Sequence, residues 1–219
     1  MCANFEPITI EQAKLFTSNQ LEFDFKEDVY PNYDAPLLFA HADDEQMQWR
    51  QARFGMVPKW ADSLNITRYT YNARSETVHT KPSFRDAWLD SQFALIPVQT
   101  IFEPKYVHGK AQRWGIQRAD QAPFTIAAIY QAARIEGQII RSMSLLTINA
   151  DNHPFMSQFH KPDDEKRSIV VIPPEKHMDW LRCHHSQAHK FLQPMSDQFT
   201  AKLMPRQTGK PQTQQNTLF

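Results

Sequence analysis

The chain has 219 residues, with 24 basic and 24 acidic side chains and a formal net charge of zero at pH 7. This length fits one domain with a sizeable core, and no stretch of about 18 apolar residues predicts a transmembrane helix. The N-terminus lacks a basic segment followed by an apolar run, so no signal peptide is predicted. Two cysteines, Cys2 and Cys183, are too few for a disulfide framework, and we expect a reducing, cytoplasmic location.

The charges are unevenly distributed. Residues 1–49 hold 2 basic and 10 acidic side chains, whereas residues 50–118 hold 11 basic and 5 acidic ones. The basic middle of the chain would bind phosphate groups if its side chains shared one face. Alternatively, these charges pair across the fold. The sequence alone leaves both interpretations open.

The first predicted element is a short helix. Thr9 and Gln12 have the spacing of a capping box, and the apolar residues of the helix lie on one side: Ile10, Ala13 and Phe16. Strands are predicted at 37–40 and 47–54, and Pro58 marks a loop at 55–60. Ser83 is expected to cap a second helix, whose inward residues are Phe84, Ala87 and Trp88.

The second half of the chain is predicted to consist mainly of strands, at 93–98, 112–117, 124–130, 142–148 and 169–172. Pro173 and Pro174 end the last strand and open a helix through Trp180 and Leu181. The polar tail at 205–219 is expected to be disordered. Many strands with few helices predict an α+β single domain at 1–204, with a curved, barrel-like, mostly antiparallel sheet flanked by short helices.

Cys2 directly follows the initiator methionine. A small residue at that position permits removal of Met1, so we expect the mature chain to begin at Cys2. An N-terminal cysteine offers an α-amine with a pKa of about 7.7–8.0 beside a thiol with a pKa of about 8.5. The pair can trap an aldehyde as a Schiff base that closes to a thiazolidine, or the amine can serve as base for a thiolate nucleophile.

Other segments carry chemically useful side chains. The polar run 71–77 contains Asn72 and Arg74, which supply an amide and a guanidinium, although such runs are also typical of solvated loops. Glu103 follows an apolar strand, where a carboxylate among apolar neighbours is a candidate for proton transfer. His160 suits acid–base work near neutrality. The loop that ends at Trp60 pairs basic groups with an aromatic ring that could stack on a base.

A metal site is the weaker interpretation of the histidine-rich segment near residue 185. Cys183, His184, His185 and His189 are close in sequence, and His185 and His189 are four residues apart. No second cysteine cluster supplies the remaining ligands, so a surface helix is the favoured interpretation.

Taken in order, these motifs resemble a known family. They are Met-Cys at the start, Phe-Gly-x-x-Pro-x-Trp ending at Trp60, Asn-Ala-Arg-x-Glu from Asn72, Phe-Glu at Glu103, and a late apolar-His motif at His160. This set is similar to the SOS-response-associated peptidase (SRAP) family, the abasic site processing proteins. The resemblance runs from Cys2 to about Ile172.

The resemblance implies a sensor and shield for abasic sites in single-stranded DNA during the SOS response. In the family, the N-terminal cysteine forms a thiazolidine with the ring-opened sugar, through lyase-like Schiff-base chemistry, and the protein is proposed to remove its own Met1. It further implies a monomer that needs no metal and no cofactor.

The roles implied by the resemblance fall on seven residues. Cys2 supplies amine and thiol, Glu103 promotes sugar ring opening, and His160 moves protons at the sugar. Asn72 holds the Cys2 end or the opened sugar. Arg74 binds the adjacent phosphate, and Trp60 or Pro36 lies against the bases. A substitute phosphate contact is expected from Lys161, Lys166 or Arg167, which lie in a segment that departs from the family pattern.

The chain departs from the family pattern at several DNA-contact positions. Ala3-Asn4 stands where Gly-Arg is usual, and Pro104 follows Glu103 where a tryptophan is common. The turn at 31–36 matches only roughly, and the segment after His160 is longer and differently charged. Two alternatives therefore accompany the main interpretation, a family member that binds single strands but crosslinks weakly and an N-terminal-nucleophile cysteine hydrolase.

Overall fold

The computed structural model describes residues 2–41, 43–196 and 198–206, together with the backbone of Thr213–Gln214. The strands are β1 (Phe5–Pro7), β2 (Phe25–Lys26), β3 (Asp34–Phe39), β4 (Gln48–Phe54), β5 (Asn72–Arg74), β6 (Phe93–Val107), β7 (Lys110–Arg118), β8 (Phe124–Ile135), β9 (Gln138–Asn149), β10 (Arg167–Ile169), β11 (Val171–Ile172), β12 (Phe199–Leu203) and β13 (Thr213–Gln214). The α-helices are α1 (Arg85–Leu89) and α2 (His177–Arg182). Short 3₁₀ helices span Glu11–Leu15, Leu64–Arg68, Met156–Gln158, Pro174–Lys176 and His185–Phe191.

Eleven strands form one mostly antiparallel sheet. Its central order is β11-β8-β9-β4-β3-β6-β7-β12, and a further pairing of β8 with β6 joins five of these strands into a ring. The ring is not a regular barrel, because β3 and β6 pair only at Leu38 and Leu95, and because β4 and β5 both run parallel to β9. The predicted α+β class with a curved sheet is confirmed.

Three long strands, β6, β8 and β9, each bury both of their faces, in two separate cores. Ala94 and Ile96 of β6 point into the inner core of the ring, which also contains Cys2. Phe93 and Leu95 point outward, into a second core covered by α1 and α2. Trp180 of α2 is fully buried there and donates a hydrogen bond from Nε1 to the carbonyl oxygen of Ala94, at 2.9 Å. No helix in the described ranges is long and apolar enough to cross a membrane.

The predicted capping box is present. The Thr9 backbone N–H donates to Gln12 Oε1 at 2.9 Å, and the Gln12 N–H donates to Thr9 Oγ1 at 3.3 Å. The capped element is a 3₁₀ helix rather than an α-helix. All the predicted strands are found, although the region 169–172 divides into parts of β10 and β11, which pair with different neighbours.

Three local expectations were wrong or incomplete. Ser83 does not cap α1, because the helix begins after Phe84 with no side-chain cap, and its first turn continues from backbone turns at Lys81. Phe84, Ala87 and Trp88 are nonetheless buried as predicted. Glu103 does not follow a strand end; β6 continues to Val107, since β1 and β7 pair along this extension. The helix predicted after Pro173 begins as 3₁₀ and becomes α-helical only at His177.

The predicted disordered tail lies largely outside the described residues. Its first part is described, where the Arg206 guanidinium carbon lies 4.6 Å from the centre of the Tyr30 ring. Further on, β13 pairs antiparallel with β2. The boundary placed at residue 204 stays a prediction.

Many charges of the basic middle segment pair within the fold. Arg53 and Arg113 contact Asp34 and Asp28 of the acidic N-terminal segment, at 3.1 and 3.0 Å. Four more basic residues of the segment have carboxylate partners: Lys59, Arg74, Arg85 and Arg118. The described residues provide no ion pair for the other five, which are Arg50, Arg68, Lys81, Lys105 and Lys110. Pairing across the fold is therefore confirmed for part of the segment, and phosphate binding by the other basic residues stays a prediction.

Gly55 is required by a close approach as well as by its backbone conformation. Its φ is +114°, and a Cβ atom at this position would overlap the backbone oxygen and Cβ of Thr67. Gly137 in the β8–β9 turn also has a positive φ, +82°, but no atom lies within 4 Å of a Cβ built there.

We expect Gly55→Ala to lower the free energy of unfolding by about 3 kcal/mol, because strain and overlap add. Gly137→Ala is the matched control and should cost only about 1 kcal/mol, since it introduces backbone strain alone. Urea unfolding of the two variants measures both values. Equal losses would show that the contact with Thr67 relaxes without cost.

Candidate functional site

Cys2 is held in the inner core by the pairing of the N-terminal segment with β6. Phe5 pairs with Ile101, and the Phe102 N–H donates to the carbonyl oxygen of Asn4 at 2.9 Å. This register brings Cys2 beside Glu103. The Cys2 side chain is only 1% exposed.

The surroundings of the Cys2 thiol favour its protonated form. Burial raises the pKa of the thiol far above its usual value, and the charge of Glu103 raises it further. The sulfur lies 3.6 Å from the carbonyl oxygen of Asn4, the distance of a weak S–H···O hydrogen bond. Cys2 therefore rests as a thiol at neutral pH.

Glu103 and His160 form a buried carboxylate–imidazole pair. Glu103 Oε2 lies 2.8 Å from His160 Nε2, and the side chains are 2% and 5% exposed. The His160 backbone N–H donates to the carbonyl oxygen of Pro104 at 2.6 Å, which fixes the 3₁₀-turn segment against β6. His160 has a φ of +64°, a conformation that non-glycine residues adopt mainly where the surroundings impose it.

Asn72 completes the set of predicted reacting residues. It lies on β5, which runs parallel to β9, and its Nδ2 donates to the carbonyl oxygen of Cys2 at 2.7 Å. Two buried side-chain atoms at the site have no hydrogen-bond partner among the described residues, Asn72 Oδ1 and His160 Nδ1. A buried polar atom without a partner is costly, so both are suited to receive polar groups of a ligand.

The site therefore combines a thiol, an amide and an acid–base pair in one buried place. The arrangement can orient the N-terminal residue and move protons beside it. The four residues come from separate parts of the chain: Cys2, Asn72, Glu103 and His160. The structure brings all of them together.

Arg74 lies outside this buried group. Asn72 and Arg74 point to the same side of β5, but the Arg74 side chain is half-exposed and pairs with Glu165, with 2.6 Å between Nη1 and Oε2. Glu165 also contacts the buried Arg167, whose guanidinium holds Glu76 at 2.8 Å. The guanidinium predicted to bind phosphate thus already has a carboxylate partner.

The remaining predicted DNA contacts are scattered. Trp60 is 57% exposed, and its Nε1 donates to the carbonyl oxygen of Pro82 at 3.2 Å, which leaves much of the ring accessible. Lys161 is exposed directly after His160. Pro36 is buried within β3, so its ring is not accessible to a base in this structure, and its predicted stacking role has no support here.

Sequence reasoning missed Tyr71 and Arg113. Burial raises the pKa of the Tyr71 hydroxyl, and the charges of Cys2 and Glu103 raise it further, which places this ring at the site. Arg113 donates to Asn4 Oδ1 at 2.8 Å, and its guanidinium carbon lies 3.2 Å from the centre of the Phe102 ring. Tyr71 directly precedes Asn72, so its position next to a predicted site residue was a usable signal. Arg113 reaches the site only because of how β7 pairs with β6, and no sequence pattern predicts that register.

Two cavities lie away from the reacting group. One of about 1170 Å³ lies beside α2 and β11, and one of about 800 Å³ lies beside the turn at His153. None of the four reacting residues lines either cavity. Within the described part of the chain, no group of three or more histidine, cysteine, aspartate or glutamate side chains could hold a metal ion.

A family model described as SOS response associated peptidase (SRAP) matches residues 1–210 of this chain. The chain belongs to the SRAP family. Two curated SRAP relatives carry the name abasic site processing protein. YoaM of Bacillus subtilis is 26% identical over 162 residues, 71% of this chain and 68% of the relative. YedK of Escherichia coli is 28% identical over 189 residues, 83% of this chain and 80% of the relative.

Solved structures share the SRAP fold. A protein from Bordetella bronchiseptica is 29% identical with a TM-score of 0.86, over 94% of this chain and 100% of that protein. A protein from Bacteroides thetaiotaomicron has a TM-score of 0.74 at 18% identity, over 93% of this chain and 92% of that protein. The second likeness concerns the fold alone.

We expect this SRAP protein to lose stability as the pH rises above neutrality, and we expect the Cys2→Ala variant to lose less. The pKa of the Cys2 thiol is raised in the folded chain. Its stabilising contribution is therefore complete below the unfolded pKa of about 8.5 and is lost as the pH rises toward the folded pKa. Between about pH 8.5 and 9.5, the parent should lose about 1 kcal/mol more than the variant in urea unfolding.

Cys183→Ala provides the comparison for this measurement. Burial raises the pKa of the Cys183 thiol to about 11, so this variant should reduce the alkaline loss by a similar amount. If Cys183→Ala reduces the loss and Cys2→Ala does not, the Cys2 thiol is solvated in the folded protein.

Proposed function

We propose that this SRAP protein processes abasic sites in single-stranded DNA by forming a covalent crosslink through Cys2 after Met1 is removed. The observation that carries the proposal is the convergence of Asn72, Glu103 and His160 on Cys2. Asn72 donates to the Cys2 carbonyl oxygen at 2.7 Å, and the buried Glu103–His160 pair lies beside the thiol. The relatives YoaM and YedK are named abasic site processing proteins, which agrees with an abasic site as the substrate.

The acid–base pair serves the first step, the opening of the sugar. An abasic sugar exists mainly as a closed hemiacetal, whose C1′–O4′ bond must break before the aldehyde can react. Glu103 accepts the proton of the C1′ hydroxyl while His160 delivers a proton to O4′. The hydrogen bond between the two side chains lets a proton return from one to the other.

Cys2 then traps the aldehyde in two bond-forming steps. The α-amine attacks C1′, and loss of one water molecule leaves a Schiff base. The sulfur next adds to the same carbon as Glu103 accepts the thiol proton, and that proton then passes to the ring nitrogen, which regenerates Glu103. The products are one thiazolidine and one water molecule, so no oxidant or metal takes part.

Removal of Met1 produces the free α-amine of Cys2. While Met1 is attached, the nitrogen of Cys2 belongs to a peptide bond and cannot form a Schiff base. The hydrogen bond from Asn72 to the Cys2 carbonyl oxygen holds the peptide on the other side of the residue, and so orients the released amine. The same acid–base pair is suited to assist autocatalytic cleavage of this bond.

The hydrolase alternative requires Cys2 to act as a thiolate. The raised pKa of the thiol, caused by burial and by Glu103, opposes that form. Thiazolidine closure tolerates a protonated thiol, because the amine makes the first bond and Glu103 accepts the proton later. The geometry therefore supports aldehyde trapping better.

We expect the protein to form a denaturation-resistant adduct with single-stranded DNA that contains one abasic site. Intact-mass measurement before and after mixing should report the loss of Met1 and an adduct of one protein per strand. Cys2→Ala should give no stable adduct, and Cys2→Ser at most a slower or more labile one. An unchanged stable yield from Cys2→Ser would contradict the thiazolidine. Tight binding without any adduct would instead indicate a family member that binds single strands only.

Glu103→Gln should slow adduct formation by about a hundredfold and leave equilibrium binding of undamaged single strands nearly unchanged. The amide keeps the shape of the side chain but accepts no proton. Glu6→Gln is the matched control. Glu6 lies on β1, which pairs with β6, and accepts a hydrogen bond from Thr100 Oγ1, but it lies outside the reacting group. Loss of rate and binding by equal factors in Glu103→Gln would assign Glu103 a structural role.

A further inference from the structure

Two basic side chains near the reacting group, Arg74 and Lys105, differ in the groups that they contact. Arg74 contacts the Glu165 carboxylate at 2.6 Å, and the same carboxylate contacts Arg167 at 2.8 Å. An incoming phosphate would have to compete with Glu165 for the Arg74 guanidinium.

Lys105 lies beside two of the reacting residues and has no carboxylate partner among the described residues. It follows Glu103 by two positions on β6, so the two side chains share one face of the strand. Lys105 also forms a backbone bridge with His160. Its position next to the Glu103–His160 pair is thus fixed by the main chain on two sides.

Neutral groups hold the Lys105 ammonium. Nζ donates to Gln158 Oε1 at 2.6 Å and lies 4.6 Å from the centre of the Trp114 ring. Trp114 stands directly opposite Glu103 in the β6–β7 register. A ring and an amide orient an ammonium without cancelling its charge, and two of its three N–H donors stay available.

We infer that Lys105 binds a backbone phosphate next to the abasic sugar, and that Trp114 and Gln158 position it for this contact. The inference rests on the proposed function, because it takes single-stranded DNA as the ligand. The Lys105 ammonium lies next to the acid–base pair, is held in place, and keeps its charge. A phosphodiester group beside the bound sugar would therefore lie where this ammonium can bind it. Arg74 contributes only where a phosphate displaces Glu165.

The first test is equilibrium binding of a fluorescent, undamaged single strand, measured by anisotropy over a range of salt concentrations. Lys105→Met should weaken binding about tenfold and reduce the slope of log affinity against log salt by about 0.7, the value for one phosphate contact. Lys105→Arg keeps the charge and should retain the slope. Lys110→Met on the same hairpin is the matched control and should match the parent.

The second test separates a positioning role of Gln158 from a merely structural one. Gln158→Glu places a carboxylate against the Lys105 ammonium and should lower the salt slope nearly as far as Lys105→Met. Gln158→Leu removes only the hydrogen bond and should retain most of the slope. In the Lys105→Met background, Gln158→Glu should have little further effect.

Crosslinking to the abasic strand distinguishes the failure of this inference from the failure of the proposed function. Lys105→Met should reduce the adduct yield at limiting protein and recover the parent rate at saturating protein. An unchanged salt slope in Lys105→Met would overturn the inference even where adducts form. If the parent forms no adduct but Lys105→Met still weakens binding, the crosslinking chemistry fails and the phosphate contact stands.

Discussion

The pairing of the N-terminal segment with β6 is the constraint on which the site depends. The backbone bond from Phe102 to Asn4 and the register of Phe5 with Ile101 fix where Cys2 lies relative to Glu103. The same strand continues past Glu103, where it pairs with β7. There the carbonyl oxygen of Pro104 accepts a hydrogen bond from the His160 backbone N–H. One strand thus aligns the reagent, the carboxylate and the imidazole, so a shift of its register by one residue would separate all three.

The ring of strands gives this alignment its rigidity. Because β6 buries one face in the inner core and the other beneath α1 and α2, it is held from both sides. Asn72 lies on a different strand, the short β5 parallel to β9, and donates a hydrogen bond to the Cys2 carbonyl oxygen. The position of Cys2 is therefore determined by the sheet and not by a loop, which suits chemistry that requires fixed geometry.

The sequence predicted much of this and missed what depends on long-range pairing. Alternating apolar residues predicted the strands, and the order of the motifs predicted the family and the four residues that converge. The extension of β6 through Glu103 and Pro104 was missed, because a charged residue and a proline oppose a strand locally while β1 and β7 stabilise it. The sequence also did not predict which groups bind the side chains of Arg74, Arg113 and Lys105, because each of these residues has a partner that is distant in the chain. Only the folded arrangement reveals which cations are neutralised.

The burial of Cys2 also bears on oxidation. Oxidants convert a cysteine to its sulfenic and higher acids through the thiolate, and mainly where the sulfur is accessible to solvent. The Cys2 sulfur is almost fully covered, and its proton is held tightly by burial and by the neighbouring carboxylate. Oxidative conditions damage DNA bases and sugars as well as thiols, so a cysteine with the proposed function would work under such conditions. Burial in the inner core protects the Cys2 sulfur from oxidation there.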